Sequence, residues 1–152
     1  MPELTAMQGN PQRRGAILYG VAACLALVGL GDALYLTIEH ITGQSVRCTI
    51  VHGCSEVLSS PYAVVAGVPL ALIGAVAYFT VFTLATLAAF QYQLAGKLVT
   101  LVIGLMFLTT LWLLYLQAFV IRHFCQFCLL SALVTTTLTV LVFMAYKSNS
   151  AR

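Results

Sequence analysis

Two cysteine pairs carry the chemistry that this sequence offers. Cys125-Gln126-Phe127-Cys128 is a C-x-x-C, and Cys48 and Cys54 form a second close pair with Gly53 between them. At helical i,i+3 spacing both sulfurs of the C-x-x-C share one face, within reach of a disulfide. A helix N-terminus and the nearby Arg122 favour the thiolate of Cys125, the form that attacks disulfides and donates electrons. Cys128 lies deeper and points toward apolar surroundings where an apolar acceptor could dissolve. Cys48 and Cys54 can close a small ring, and a disulfide in a short loop is open to thiol exchange. The alternatives are a structural disulfide, a loop staple or a zinc site, because four cysteines nominally meet the zinc ligand count.

The elements that hold these cysteines follow from composition. Apolar residues make up 61% of the 152-residue chain and charged residues 7%. Soluble domains carry about 25% charged residues, so this chain cannot cover a water-facing surface and is expected to be an integral membrane protein. The basic residues do not cluster, which argues against nucleic-acid binding.

Charge-free stretches define the spans. Gly15 to Gly31 carries no charge and its pattern continues through Asp32 to about Glu39; Val57–Gly96, Leu98–Ile121 and His123–Tyr146 are charge-free throughout. A membrane helix needs about 20 apolar residues. The run Val57–Gly96 would span about 60 Å as one helix, about twice the hydrocarbon core, and Pro61, Gly67 and Pro69 divide it. It therefore reads as a short surface helix near Ser55–Ala66, with Ser55 as its cap, followed by a span from about Pro69.

The sequence thus predicts an all-α, four-helix transmembrane bundle with a short extracytoplasmic loop helix. Its spans fall at about 16–39, 69–90, 98–121 and 125–146, with an outer loop and short helix over 40–68. Residues 1–14 read as a disordered cytoplasmic tail, 15–147 as the membrane domain and 148–152 as a second cytoplasmic tail. Arg13, Arg14, Lys97, Lys147 and Arg152 fall on one side of the membrane, against Arg47 and Arg122 on the other. That bias puts both termini in the cytoplasm and all four paired cysteines outside. In a bacterium this is the inner membrane with the cysteines in the periplasm, where disulfides persist.

Two pairs on one side form a relay. A reduced partner would attack the loop disulfide, a loop thiol would attack the C-x-x-C disulfide, and the reduced C-x-x-C would pass two electrons to an acceptor. No nicotinamide or flavin fingerprint is present, no histidine pairing suggests haem, and no resident metal is expected. A lipid-soluble quinone is the acceptor that a small apolar bundle can bind. The rival class is a non-enzymatic membrane protein held by outer disulfides, such as a redox sensor or a small transporter subunit. Against it, the spans have few mid-membrane polar residues besides Asp32, and no signalling domain is evident.

Several other residues have both a functional and a plain reading. Asp32 lies about five residues before the last turn of the first span, and an acid at that depth is a functional candidate; the plain reading is a hydrogen bond to the loop or a neighbouring helix. Ser60 could bond a quinone oxygen or position a loop cysteine, or be a helix-surface hydroxyl. His52 or His123 could carry protons, although Glu39, His40, Arg47, His52, Glu56, Arg122 and His123 read first as solvated interfacial charge. Trp112, Tyr115 and Phe119 read as an aromatic belt or packing face, and Cys24 as a buried small residue without a partner.

Together these residues resemble the vitamin K epoxide reductase family. That family has a loop cysteine pair, a nearby serine or threonine, and a C-x-x-C opening the last bundle helix; here these are Cys48, Cys54, Ser60, and Cys125 with Cys128. Asp32-Ala33-Leu34-Tyr35-Leu36-Thr37 and Gly67-Val68-Pro69 also resemble bacterial members, and the likeness covers about 30–146. The resemblance implies a quinone of the ubiquinone, menaquinone or phylloquinone class inside the bundle, facing Cys128. It implies that Cys48 meets a thioredoxin-fold partner, that Cys54 exchanges with Cys125, and that the short helix caps the site with Ser60 near the loop. Many bacterial members carry a fused thioredoxin domain after a fifth helix. This chain ends at Arg152, so a separate DsbA-like protein is the expected partner, and a monomer in membrane lipid the expected state. The resemblance leaves two activities open: disulfide formation, which the outside cysteines favour, and reduction of a quinone or vitamin K epoxide. The DsbB family does similar chemistry on four helices, but there the C-x-x-C comes in the first outer loop.

Overall fold

A computed structural model describes residues 10–44, 48–50 and 53–150. Among them, four helices are long and apolar enough to cross a membrane, over Pro11–Thr42, Leu70–Ala89, Gln93–Ile121 and Gln126–Ser150. The chain is an all-α integral membrane protein. Arg47, His52, Arg152 and most of the expected N-terminal tail lie outside the described residues.

The first helix, α1 (Pro11–Thr42), starts earlier and ends later than its charge pattern suggests. Pro11 suits a first helical position, and the Asn10 side chain caps the helix by accepting the Gln12 N–H at 3.2 Å. Gly43, at φ 68°, turns the chain into the left-handed region and its N–H returns to the last-turn carbonyls. Asp32 therefore lies about 15 Å before the helix end, deeper than expected.

The loop segment also differs from expectation. The short helix α2 (Cys54–Leu58) begins on Gly53, so Ser55 lies inside it and does not cap it. It stops before Pro61, whose ring disfavours helical backbone in the preceding residue. A 3₁₀ turn, Pro61–Ala63, follows. Then a two-stranded antiparallel ribbon pairs β1 (Val64–Val65) with β2 (Val68–Pro69). Ala66 and Gly67, at φ 53° and 83°, make the two-residue turn between them.

The bundle continues through α3 (Leu70–Ala89), α4 (Gln93–Tyr115), a π-helical turn (Leu116–Ile121) and α5 (Gln126–Ser150). Helix α1 packs against α3 and α5, and α4 packs against the same two, so the helices form a ring with α1 and α4 on opposite corners. The inner seam is built from small residues. Ala22, Ala23, Ala26, Gly29 and Ala33 of α1 meet Ala75, Ala85 and Ala88 of α3 and Ala145 of α5. Lipid removes the hydrophobic drive between helices, so close backbone approach by small residues carries the packing. Large apolar side chains face outward, among them Leu101, Leu105 and Phe143.

Gly29 shows why a small residue is needed. A Cβ there would overlap the ring of Tyr78 on α3. With the glycine, the ring passes α1 and its hydroxyl crosses the bundle to α5. It meets Ser131 Oγ at 2.7 Å and Thr135 Oγ1 at 3.0 Å, and donates to the Ser131 carbonyl at 3.1 Å. That contact ties the diagonal of the bundle below the cysteines.

Candidate redox site

Both cysteine pairs lie in one apolar cluster at the end of the bundle. Its fully buried members are Leu36, Cys54, Val57 and Cys125, and Cys48, Cys128 and Phe127 pack against them. Cys48 and Cys54 are joined in a disulfide, with Cα atoms 5.8 Å apart, while Cys125 and Cys128 are free thiols. Cys54 and Cys125 are buried, at 2% and 0% exposure. Cys48 is only partly covered.

Three local devices bring the pairs together. Gly53, immediately before Cys54, lies against the backbone that leads into Cys125. A Cβ on Gly53 would stand 2.6 Å from the Phe124 carbonyl oxygen. Glu56 of α2 pairs with His123 on the same connection. Gln126, inside the C-x-x-C, accepts the backbone N–H groups of Thr49 and Ile50 at 3.1 and 3.0 Å. This amide pins the residues after Cys48 to the start of α5.

Cys125 is held from the other side by the π-helical turn. The wider turn buries Gln117, whose Oε1 accepts the Cys125 N–H at 3.1 Å. Helix π-turns recur at functional sites because they re-aim side chains that an α-helix would point elsewhere. Arg122 ends the turn at φ 61° with an exposed side chain.

The electrostatics of Cys125 follow from this placement. Its thiol is held down to about 7, first by the Cys128 thiol that donates to its sulfur; the backbone N–H groups of Cys128 and Phe127 add to this, and burial and the Asp32 charge oppose it. The helix N-terminus thus contributes as the sequence suggests. Arg122 is not among the causes, because its side chain faces solvent.

A cleft opens beside Cys128. Along α4 the buried residues end at Ile103, and farther on Thr110, Leu113 and Leu114 line this cleft instead of packing inward. The cleft encloses about 150 Å³ and is open to the outside. Leu36, Val57, Leu58, Ile121, Leu70 and Ala132 give it apolar walls. Polar side chains also line it, among them Ser60, Tyr78, Ser131, Gln117 and Asp32. Apolar walls with a few convergent polar groups suit a flat, lipid-soluble quinone, which would supply a two-electron, two-proton acceptor.

The remaining sequence-selected residues separate. Ser60 lines the cleft, and its hydroxyl donates to the Val57 carbonyl at 2.7 Å. Trp112, Tyr115 and Phe119 form an exposed ladder, with ring centroids 5.8 and 5.2 Å apart. Cys24 is exposed, not buried, because its position on α1 falls outside the seam facing α3 and α5. Gln117 and Gln126 escaped the sequence reading; a glutamine between two cysteines was the available signal for the second.

Comparison with known proteins agrees with this architecture. The model of the vitamin K epoxide reductase family matches residues 21–143. A thiol-disulfide oxidoreductase of Arabidopsis thaliana, LTO1, is 52% identical over 48 residues, which is 31% of this chain and 13% of that relative. The matched segment is thus a small part of the plant protein.

Proposed function

Because the chain belongs to the vitamin K epoxide reductase family, we propose that it is a quinone-dependent thiol oxidase that generates disulfides. It reoxidises a thioredoxin-fold, DsbA-like partner and reduces a membrane quinone through Cys48, Cys54, Cys125 and Cys128. The observation that carries this reading is the single cluster that holds all four sulfurs, with Cys128 at the wall of the cleft. The thiol-disulfide oxidoreductase name of the plant relative supports the reaction class.

The exposure of the sulfurs supports an order of transfer. A partner thiolate attacks Cys48, the more accessible sulfur of the loop disulfide, and Cys54 leaves as a thiolate. The partner's second thiol releases the mixed disulfide, so the partner leaves oxidised and the loop pair reduced. Cys54 then attacks Cys125 across the cluster, Cys128 is released, and Cys48 resolves the new bond to restore the loop disulfide. Loop disulfide with C-x-x-C dithiol is the state that follows this exchange. Oxidation of the dithiol then delivers two electrons to the acceptor. Ser60 and Asp32 support the acceptor end, where both line the cleft.

The membrane setting of this proposal is a bacterial-type inner membrane with the cysteines outside. Arg13, Arg14, Lys97 and Lys147 support it, because they fall at the end of the bundle where α1 begins, α3 turns into α4 and α5 ends. One bundle is sufficient to hold the site, so the working unit is a monomer.

The test is anaerobic turnover. Purified protein, quinone and a reduced thioredoxin-fold partner are mixed, and quinone absorbance is followed with partner oxidation. Wild type is expected to reduce quinone in step with the partner, and Cys48→Ala, Cys54→Ala, Cys125→Ala and Cys128→Ala are each expected to stop turnover. Quinone reduction that survives loss of the C-x-x-C would reject the relay.

A further inference from the structure

Asp32 occupies the wall of the cleft that receives Cys128. Its Oδ2 is fully buried and, among the described residues, no hydrogen-bond donor reaches it. The carboxyl is close enough to Cys125, Cys128 and Tyr78 for its charge to act on each. The plain reading, a hydrogen bond to a loop or neighbouring helix, leaves this oxygen unexplained.

Among the described residues, no lysine or arginine lines the cleft beside it. The titratable side chains there are His40 on α1, Tyr62 on the 3₁₀ turn, Tyr78 on α3 and Cys128 on α5, and α4 contributes none. Holding a carboxylate with an unpartnered buried oxygen is expensive, whereas a neutral carboxyl there carries a proton it can give away.

The site needs such a proton. Reduction of a quinone takes two electrons and two protons. The C-x-x-C supplies both electrons, but the Cys128 thiol donates to the Cys125 sulfur and favours its thiolate, and in that form the pair carries one proton. We propose that Asp32 supplies the other: it holds a proton while the pair is reduced and releases it to a quinone oxygen as the pair becomes a disulfide. This rests on the quinone reading above.

The step balances. The Cys125 thiolate and the Cys128 thiol become a disulfide, losing two electrons and the Cys128 proton. The Asp32 carboxyl becomes a carboxylate, losing the second proton. The quinone gains two electrons and two protons to become the quinol. Net charge is unchanged: the negative charge moves from the Cys125 sulfur to the Asp32 carboxylate. Asp32 regains its proton from water at the open mouth, where His40 is exposed, when the C-x-x-C is next reduced.

The first arm of the test uses no quinone. Infrared difference spectra are recorded between protein with the C-x-x-C chemically reduced and protein with it oxidised. A neutral-carboxyl carbonyl band is expected with the reduced pair, lost on oxidation and missing from Asp32→Asn. The second arm mixes chemically reduced protein with a soluble short-chain quinone in a single turnover. Asp32→Asn is expected to slow quinone reduction by about 100-fold or more, with quinone affinity and exchange with the partner retained, and Asp32→Glu to recover part of the rate. A carboxyl band blind to the redox state, or an undiminished rate in Asp32→Asn, overturns the role of Asp32 alone. Wild type that fails to reduce quinone overturns the acceptor reading and this proposal with it. If Asp32→Asn does not fold, the wild-type spectra and Asp32→Glu decide.

Discussion

The side-chain carbonyl of Gln126 accepts the backbone N–H of Ile50 at 3.0 Å, and the same oxygen accepts that of Thr49. One residue inside the C-x-x-C therefore holds the strand of loop that follows Cys48. The loop pair and the C-x-x-C are positioned by the same side chain.

Replacing this amide should loosen the exchange without loosening the bundle. Two hydrogen bonds of about 1 kcal/mol each are lost in Gln126→Ala, so transfer from the loop pair to the C-x-x-C should slow by about 10-fold or more. Thermal unfolding should change little. The check is the rate of partner oxidation, set against the rate at which chemically reduced protein passes electrons to quinone, which should hold.

The thiolate of Cys125 should depend on Cys128. Thiolate absorbance of the reduced protein should rise through about pH 7 in a Cys24→Ala background. The sign follows from the cause: a lowered thiol is ionised above its midpoint and neutral below it. Cys128→Ala removes the largest lowering contribution, so the midpoint should move up and less thiolate should be present at pH 7. A midpoint unmoved by Cys128→Ala would reject the sulfur-to-sulfur hydrogen bond.

Gly53→Ala should separate the two pairs. Its Cβ would press on backbone, the Phe124 carbonyl, which cannot rotate away as a side chain would. Transfer between Cys54 and Cys125 should fall by about 10-fold or more, equivalent to roughly 1.4 kcal/mol. The atoms nearest the added Cβ belong to His123 and Phe124, outside the transmembrane helices, so helix content by circular dichroism should be retained.

Gly29→Ala and Tyr78→Phe test the diagonal below the site. The first inserts a methyl group into the Tyr78 ring and should cost about 1–3 kcal/mol. The second removes only the hydroxyl that joins α3 to α5, and should cost about 1 kcal/mol. Denaturation in detergent, with both variants side by side, reads the difference. Equal stability of Gly29→Ala and wild type would show that the ring can move aside.

The sequence by itself determined the solvent, the four spans and which sulfurs are able to react. A chain with so few charges must bury its backbone polar groups in helices within lipid, and cysteines have no substitute as exchangeable sulfurs. Helix ends were less legible. Asn10 and Gly43 set the true limits of α1, but both lie beyond the charge-free run that marked the span. Pro61 marked a break, yet whether ribbon or helix followed depended on the turn at Ala66 and Gly67.

Only the tertiary structure decided how the pairs meet and where protons can sit. The segments around Cys54 and Cys125 are far apart in sequence and touch because Gly53 leaves room for the Phe124 backbone. Gln117 reaches Cys125 because a π-helical turn rotates it inward, which no regular periodicity encodes. Asp32 was visible as an acid in a span, but that no described residue bonds its Oδ2 was not, because that depends on what α3, α4 and α5 bring to the other walls of the cleft. Periodicity and composition fix local elements through each residue's own chain neighbours. Contacts between distant residues depend on helix packing, which many sequences of the same pattern would arrange differently.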